Sequence, residues 1–475
     1  MSKADKFIQK RKCDTEFKPL YHFSAPWGWI NDPNGFIHYN GEWHLFYQHN
    51  PYSSRWGRMH WGHAVSKDLL TWEHLPVALA PDCRHDWFLG CFSGSALEKD
   101  GELYLMYTGV PFRRQHQMLA KSKDGIHFDK LKKPVIPIKN RPPYSRKFSF
   151  RDPKMLNNDG IFYTVIGASY NKGRQIALYK SDNLTDWIFV GALKKENESS
   201  GIFECPDLIR TDNGDILIYS VMHTETKDLE YQNLHSSVCE IGKVDLGKAE
   251  FLTSGNAREL DSGADFYAPQ TALSPNGRVI MIAWMQMWRR TNPLKYLKHG
   301  YSGIFTLPRE LRVINGELIQ TPIREVYGYF DTEKIKVSDY IQAEKSFENI
   351  SGEVFLLKIK FDSKSNLEIK LRKGSNCFTS ISFEHGLVTF NREQSGHKII
   401  GSKGDGNCNI RYMKIDKSDK IHAEIFVDKC SVEIFVNDKH CMSNTIYPYA
   451  DATAISFRSE KGAHTEIEFC QKKLS

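Results

Sequence analysis

The stretch Gly41-Glu42-Trp43-His44-Leu45-Phe46-Tyr47 is a glycine followed by a burst of β-formers, and the same phrase returns four times in the chain. It recurs as Gly101-Glu102-Leu103-Tyr104-Leu105-Met106-Tyr107, Gly160-Ile161-Phe162-Tyr163-Thr164-Val165-Ile166, Gly214-Asp215-Ile216-Leu217-Ile218-Tyr219 and Gly277-Arg278-Val279-Ile280-Met281-Ile282-Ala283-Trp284. Successive starts lie 60, 59, 54 and 63 residues apart. A second phrase, a Ser followed by an Asp and then an aromatic, trails the first three: Ser66 and Asp68 with Trp72, Ser122 and Asp124 with Phe128, Ser181 and Asp182 with Trp187. Short runs of β-branched and aromatic residues bounded by turn formers mark strands, and each unit has room for four of them. Repeats of this length with little helical periodicity predict a β-propeller, and five units predict five blades. The competing reading is an irregular sandwich with evenly spaced hairpins.

The polar residues strengthen the propeller reading. Asp32 lies nine residues before Gly41, Asp152 eight before Gly160, Glu204 ten before Gly214 and Asp265 twelve before Gly277. Equivalent positions on the innermost strands of a propeller converge on one axis, so four carboxylates at similar phase predict a ring at one end of the channel. After about Arg324 the repeat stops, while alternating strand-like runs continue at 353–361, 366–371, 421–427, 431–436 and 466–469. The chain therefore reads as all-β: a five-bladed β-propeller over 1–326, a connection over 327–342 and a C-terminal β-sandwich over 343–475.

Composition bounds the function. The chain has 475 residues, with 64 Lys plus Arg against 57 Asp plus Glu, 40% hydrophobic and 25% charged residues, which excludes disorder and collagen-like or disulfide-stapled mini-protein classes. A formal charge of +7 over this length, with no dense basic block interleaved with aromatics, argues against a nucleic-acid partner. No window approaches 18 consecutive apolar residues, and Met1 to Leu20 has no apolar leader-like core, so no membrane partner and a cytoplasmic location are expected. Ten scattered cysteines form no C-x-x-C pair and no metal-ligand spacing, so free thiols and no metal are expected.

Three segments carry candidate chemistry. Trp29-Ile30-Asn31-Asp32-Pro33-Asn34-Gly35 reads either as a turn or as a held carboxylate nucleophile beside an aromatic wall of Trp27 and Trp29. Arg151-Asp152-Pro153 reads as a structural ion pair or as part of a site. Phe203-Glu204-Cys205-Pro206-Asp207 sets a carboxyl between an aromatic and a thiol, surroundings that would raise its pKa as a general acid requires; an exposed Glu at a strand end is the plain alternative.

Together these segments resemble the signature blocks of glycoside hydrolase family 32, the β-fructofuranosidases, in the family's order. The resemblance runs from about Tyr21 to Glu325, and Ser431-Val432-Glu433-Ile434-Phe435 is similar to the family's sandwich-domain signature. It implies a five-bladed propeller followed by a β-sandwich, and retaining hydrolysis of terminal β-D-fructofuranosides with no cofactor. It also implies Asp32 as nucleophile, Glu204 as general acid/base and Asp152 as transition-state stabiliser. Substrate-binding positions carried over are Asn31, Gln48, Trp56, Trp61, Phe92, Ser93, Arg151, Asp265, Tyr267 and Trp284, although any Trp or Tyr among them has blade core as its alternative. Ile30 and Phe203 stand where the family more often has Met and Trp, which bears on leaving-group preference. The expected partner is a small molecule: sucrose, sucrose 6-phosphate or short fructans. Arg113-Arg114, Lys147 and Arg289-Arg290 are candidates for a cationic rim that would meet a phosphate. Exo-hydrolysis of fructo-oligosaccharides is the second reading and a non-catalytic fructan-binding protein the third; oligomeric state is not legible.

Overall fold

The structure, a computed structural model, describes residues 2–330, 334–402 and 405–472. Its first two thirds hold five antiparallel sheets in chain order. Their innermost strands are Gly28–Tyr39, Gly90–Lys99, Phe150–Asn158, Phe203–Ile209 and Tyr267–Leu273, each packed against the next around a common axis, with the fifth against the first. The ring closes through the segment between the second and third strands of the fifth sheet. Its short strand Tyr301–Ser302 pairs in parallel with Gly28 and Trp29 on the inner strand of the first sheet.

The glycine that opens each repeat phrase is the hairpin turn between the first and second strands. Asn40-Gly41, Asp100-Gly101 and Asp159-Gly160 all have positive φ at both residues (50° and 85°, 53° and 76°, 52° and 84°), the two-residue turn whose twist matches the flanking strands. A Cβ at Gly41, Gly101 or Gly160 would meet nothing within 4 Å, so backbone conformation rather than space requires glycine there. The trailing phrase is the next-but-one turn. Ser66 Oγ accepts from Leu69 N at 2.8 Å and Ser181 Oγ from Leu184 N at 3.0 Å, while Trp72 and Trp187 close each turn by donating Nε1 to the carbonyls of Leu69 and Leu184.

The C-terminal part is a sandwich of a six-stranded and a five-stranded antiparallel sheet around a core that includes Phe355, Ile369, Ile381, Ile425 and Ile434. One boundary is corrected. The expected connection 327–342 holds the end of a helix, Glu325–Tyr329, and an edge strand, Ile335–Ile341, paired from Ile335↔Phe469 to Ile341↔Ala463. Its positions 331–333 lie outside the described residues. The strand escapes a sequence reading because it is an edge: Ile335, Val337 and Asp339 are only half-buried, and Lys336, Ser338 and Tyr340 face out.

Polar clusters join the propeller to the sandwich. His22 sits between Asp428 (Nδ1 to Oδ2, 2.9 Å) and Glu433 (Nε2 to Oε1, 3.0 Å), and Arg309 Nη2 bridges Glu433 and Asp261, each at 2.8 Å. All ten cysteines are unpaired.

Candidate active site

Every inner strand carries one extra residue relative to its neighbour at the same height. The irregularities fall between Ile30 and Pro33, Phe92 and Gly94, Arg151 and Lys154, Glu204 and Asp207, and Tyr267 and Gln270. Such bulges bend a strand and re-aim a side chain, and five of them at one level turn five strand segments toward one end of the channel. Four are built on X-Pro: Asp32-Pro33, Asp152-Pro153, Cys205-Pro206 and Ala268-Pro269. Asp152, Cys205 and Ala268 have φ of 66°, 45° and 51°, left-handed conformations that cost about 1–3 kcal/mol each and persist only where the surroundings impose them. Beneath this level Lys154 Nζ pairs with Asp207 Oδ2 at 3.0 Å and Gln270 Nε2 donates to Gly94 O at 3.0 Å, filling the channel with a second polar tier.

The bulges gather Asp32, Asp152 and Glu204. Asp32 Oδ1 accepts from Asn31 Nδ2 at 3.0 Å and Oδ2 from Ser93 Oγ at 2.6 Å; Asn31 is itself fixed by Trp29 Nε1 at 2.8 Å. The Cys205 thiol lies 3.7 Å from both Asp32 Oδ2 and Asp152 Oδ2, and Cys205 N donates to Asp152 Oδ2 at 3.0 Å. Asp152 N donates to Thr108 Oγ1 at 3.0 Å. Glu204 is clamped on the other side. Arg151 donates to its Oε1 through Nη2 at 2.5 Å and Nε at 3.2 Å, and the Tyr267 hydroxyl donates to Oε2 at 2.6 Å.

The three carboxyls are shifted in different directions by their surroundings. Burial raises Asp32, only partly opposed by the Ser93 and Asn31 hydrogen bonds. Burial lifts Asp152 to about 7, against the pull of Arg151 and with the repulsion of Glu204 and Asp32 added. Burial also acts on Glu204, but the Arg151 charge and the Tyr267 hydroxyl outweigh it and hold this carboxyl below the usual glutamate range. The expectation that the surroundings of Glu204 raise its pKa is therefore corrected for the free protein: the cation sits directly on it, and Asp152 is the neighbouring carboxyl that burial shifts upward.

Of the other expected residues, Asn31, Ser93, Arg151 and Tyr267 touch the carboxyls directly. Trp56 is 41% exposed at the rim, edge-on to Phe92 with ring centroids 6.1 Å apart. Gln48 ties the first blade to the second through Nε2 to Cys91 O, 2.9 Å.

Three expected positions are corrected. Trp61 is fully buried among Phe46 and Tyr107 and reaches the site only by donating Nε1 to Phe92 O at 3.1 Å. Trp284 is fully buried against Trp29 and Trp288. Asp265 does not join the ring. Its Oδ2 accepts from Arg392 Nη1 and from Thr445 N and Oγ1, each Thr445 contact at 2.8 Å, and its Oδ1 from Arg290 Nη1 at 3.3 Å, so it binds the propeller to the sandwich. Twelve residues before the glycine is too far upstream, and Tyr267 and Ala268 occupy the phase instead. Arg290 is likewise spent, held by Asp405 through Nε at 2.6 Å and Nη2 at 2.7 Å. The exposed Arg113, Arg114, Lys147 and Arg289 do not line the cavity beside Arg151. Thr108 is not singled out by the sequence, and Cys205, read there only as a neighbour of Glu204, touches both Asp32 and Asp152; the recurrent X-Pro is its signal.

Among the described residues one grouping, Asp14, Glu16 and His299, brings possible metal ligands within 4.8 Å of one another, and none of them belongs to the carboxyl cluster.

Comparison with known proteins agrees with this architecture. Residues 22–322 match the glycosyl hydrolases family 32 N-terminal domain, and residues 326–472 match the family 32 C-terminal domain. A sucrose-6-phosphate hydrolase of Zymomonas mobilis is 34% identical, covering 94% of this chain and 90% of that protein. A Bombyx mori β-fructofuranosidase variant in complex with sucrose superposes with a TM-score of 0.86 at 31% identity, covering 98% of this chain and 97% of that one. The sucrose-6-phosphate hydrolase of Lactobacillus gasseri gives 0.89 at 27% identity, covering 99% and 96%. The chain belongs to glycoside hydrolase family 32.

Proposed function

We propose that this protein is a retaining β-fructofuranosidase that hydrolyses sucrose or sucrose 6-phosphate, with Asp32 as nucleophile, Glu204 as general acid/base and Asp152 as stabiliser of the transition state. The observation that carries the assignment is the division of the site. Asp32, held by Ser93 and Asn31, has a carboxylate fixed in direction, while Glu204 lies across from it under Arg151 and Tyr267.

In the first step a carboxylate oxygen of Asp32 attacks the anomeric carbon as the bond to the leaving oxygen breaks. Glu204 gives that oxygen its proton, leaving an ester on Asp32. In the second step the Glu204 carboxylate takes a proton from water, whose oxygen attacks the same carbon and releases fructose and the Asp32 carboxylate. Because Arg151 keeps Glu204 ionised in the free site, substrate must loosen that contact for the acid to form. Asp152, buried and with its proton affinity raised by that burial, is suited to hydrogen-bond fructosyl hydroxyls and so to hold the sugar ring in the transition state.

The reading includes a cytoplasmic setting, supported by ten thiols that are all unpaired. No helix among the described residues is long and apolar enough to cross a membrane.

Glu204→Gln tests the roles. The variant is expected to form the ester from a fructoside with a good leaving group, to stall there, and to recover turnover when azide replaces activated water. Equal losses for good and poor leaving groups, with no azide effect, would place Glu204 outside the acid/base role.

A further inference from the structure

We infer that the cavity between the third and fourth blades is the subsite for the phosphorylated sugar of the leaving group, with Arg146 and Lys172 as the residues that hold its phosphate. This rests on the reading of Glu204 as general acid, because the group that Glu204 protonates must depart on the Glu204 side of the site.

The cavity has a volume of about 850 Å³ and is lined in part by Arg146, Arg151, Lys172, Glu198, Ser199 and Met222. Arg151 joins the cavity to the reacting carboxyl. It lines this cavity and also donates to Glu204 Oε1, and its Nη2 lies 3.7 Å from Met222 Sδ, so the cavity opens next to the group that protonates the leaving oxygen.

Two further cations face the same space. The side chains of Arg146 and Lys172 make no ion pair or hydrogen bond among the described residues, unlike Arg151 or the buried Arg290. Their backbones are nevertheless tied down. Arg146 N donates to Ser169 Oγ at 2.8 Å, Ser149 N to Arg146 O at 3.2 Å, and Asn171 N to Tyr144 O at 3.1 Å, which binds the 144–149 segment to the hairpin that carries Lys172.

The hydroxyl supply points the same way. Ser199 lines the cavity, and its Oγ is buried with no hydrogen-bond partner among the described residues, so an unsatisfied hydroxyl lies just behind the wall. Glu198 is the one carboxylate in the lining, and beside a sugar phosphate it would accept from sugar hydroxyls while the two cations meet the phosphate. A phosphomonoester, close to dianionic at neutral pH, needs two or more cations with hydroxyl donors, and a neutral glucosyl unit needs neither cation. The chemical class is therefore a hexose phosphate linked through its anomeric oxygen.

The test is kcat/KM for sucrose and sucrose 6-phosphate in the wild type, in Arg146→Ala/Lys172→Ala and in the charge-keeping Arg146→Lys/Lys172→Arg. The wild type is expected to prefer the phosphorylated substrate. The alanine pair should lower that preference about tenfold or more, mainly through KM, and the charge-keeping pair should retain most of it. Glucose 6-phosphate should inhibit sucrose hydrolysis by the wild type and lose that effect in the alanine pair, with inorganic phosphate at the same concentration inhibiting far less. A wild type that treats the two substrates alike, a ratio unchanged by the alanine pair, or inhibition by inorganic phosphate equal to that by glucose 6-phosphate would overturn the inference. Those results would leave the hydrolase reading intact, since that reading stands or falls on Glu204→Gln.

Discussion

Asp265→Asn separates a sugar ligand from a structural anchor. Asp265 is 1% exposed and its two oxygens take four contacts, from Arg290, Arg392 and both donors of Thr445. The amide keeps the shape and one acceptor but removes the charge, leaving Arg392 without its carboxylate and Arg290 with Asp405 alone. Breaking a buried pair by removing one partner costs about 3–5 kcal/mol. For a chain of 475 residues, an unfolding entropy of about 2.1 cal/mol/K per residue is roughly 1 kcal/mol per kelvin, so the melting midpoint should fall by about 3–5 °C. Differential scanning calorimetry at fixed scan rate reads that shift, and initial rates at 25 °C read the site. The expected result is a lower midpoint with kcat/KM for sucrose within about twofold of wild type. A loss of a hundredfold or more in kcat/KM with an unmoved midpoint would refute the anchor and return Asp265 to the substrate.

Stability should also depend on His22. Its folded pKa is raised to about 9 from an ordinary 6.5 by Asp428 and Glu433, which overcome the burial that opposes its charge. The contribution is then fully present below pH 6.5, amounts to about 3 kcal/mol, and is lost as pH rises through about 9. The melting midpoint of the wild type should fall across that window, and His22→Gln, less stable at low pH, should flatten the slope; a slope unchanged by the variant contradicts the assignment. Among the tryptophans, Trp56→Ala should raise KM with little change in melting midpoint, because the ring stands at the rim. Trp284→Ala should instead lower the midpoint by the equivalent of about 3–5 kcal/mol, because it empties a buried site. Reversed effects would exchange their roles.

The propeller is legible because its hairpins are local. Asn40-Gly41, Asp100-Gly101 and Asp159-Gly160 fix turn type and strand direction from two residues each. The carboxyl cluster is legible in part for a similar reason: Asp32, Asp152 and Glu204 sit on or beside X-Pro bulges that recur in four of the five blades. Counting back from the glycine was the weaker ruler. Distance from the glycine puts Asp265 in the ring, whereas distance from Pro269 puts Tyr267 and Ala268 at that height. What depends on partners far along the chain is not legible. Arg290 reads as one of two exposed arginines until Asp405 meets it, and the direction of the Glu204 shift depends on Arg151, 53 residues away. Trp61 and Trp284 differ from Trp56 only in what surrounds them, which no short window encodes. The edge strand Ile335–Ile341 is masked by the charged and polar residues that keep an edge soluble.

The most direct test of the account is to find where the sugar becomes attached. Glu204→Gln mixed with a fructoside carrying a good leaving group should accumulate the covalent intermediate, since the base for the second step is gone. Acid quenching, digestion and mass spectrometry should then find one fructosyl unit on the peptide that contains Asp32, and Asp32→Asn in the same background should abolish the label. A fructosyl unit on Asp152, or none on any carboxyl while product is still released with the opposite anomeric configuration, would contradict the assignment of Asp32 as nucleophile of a retaining enzyme.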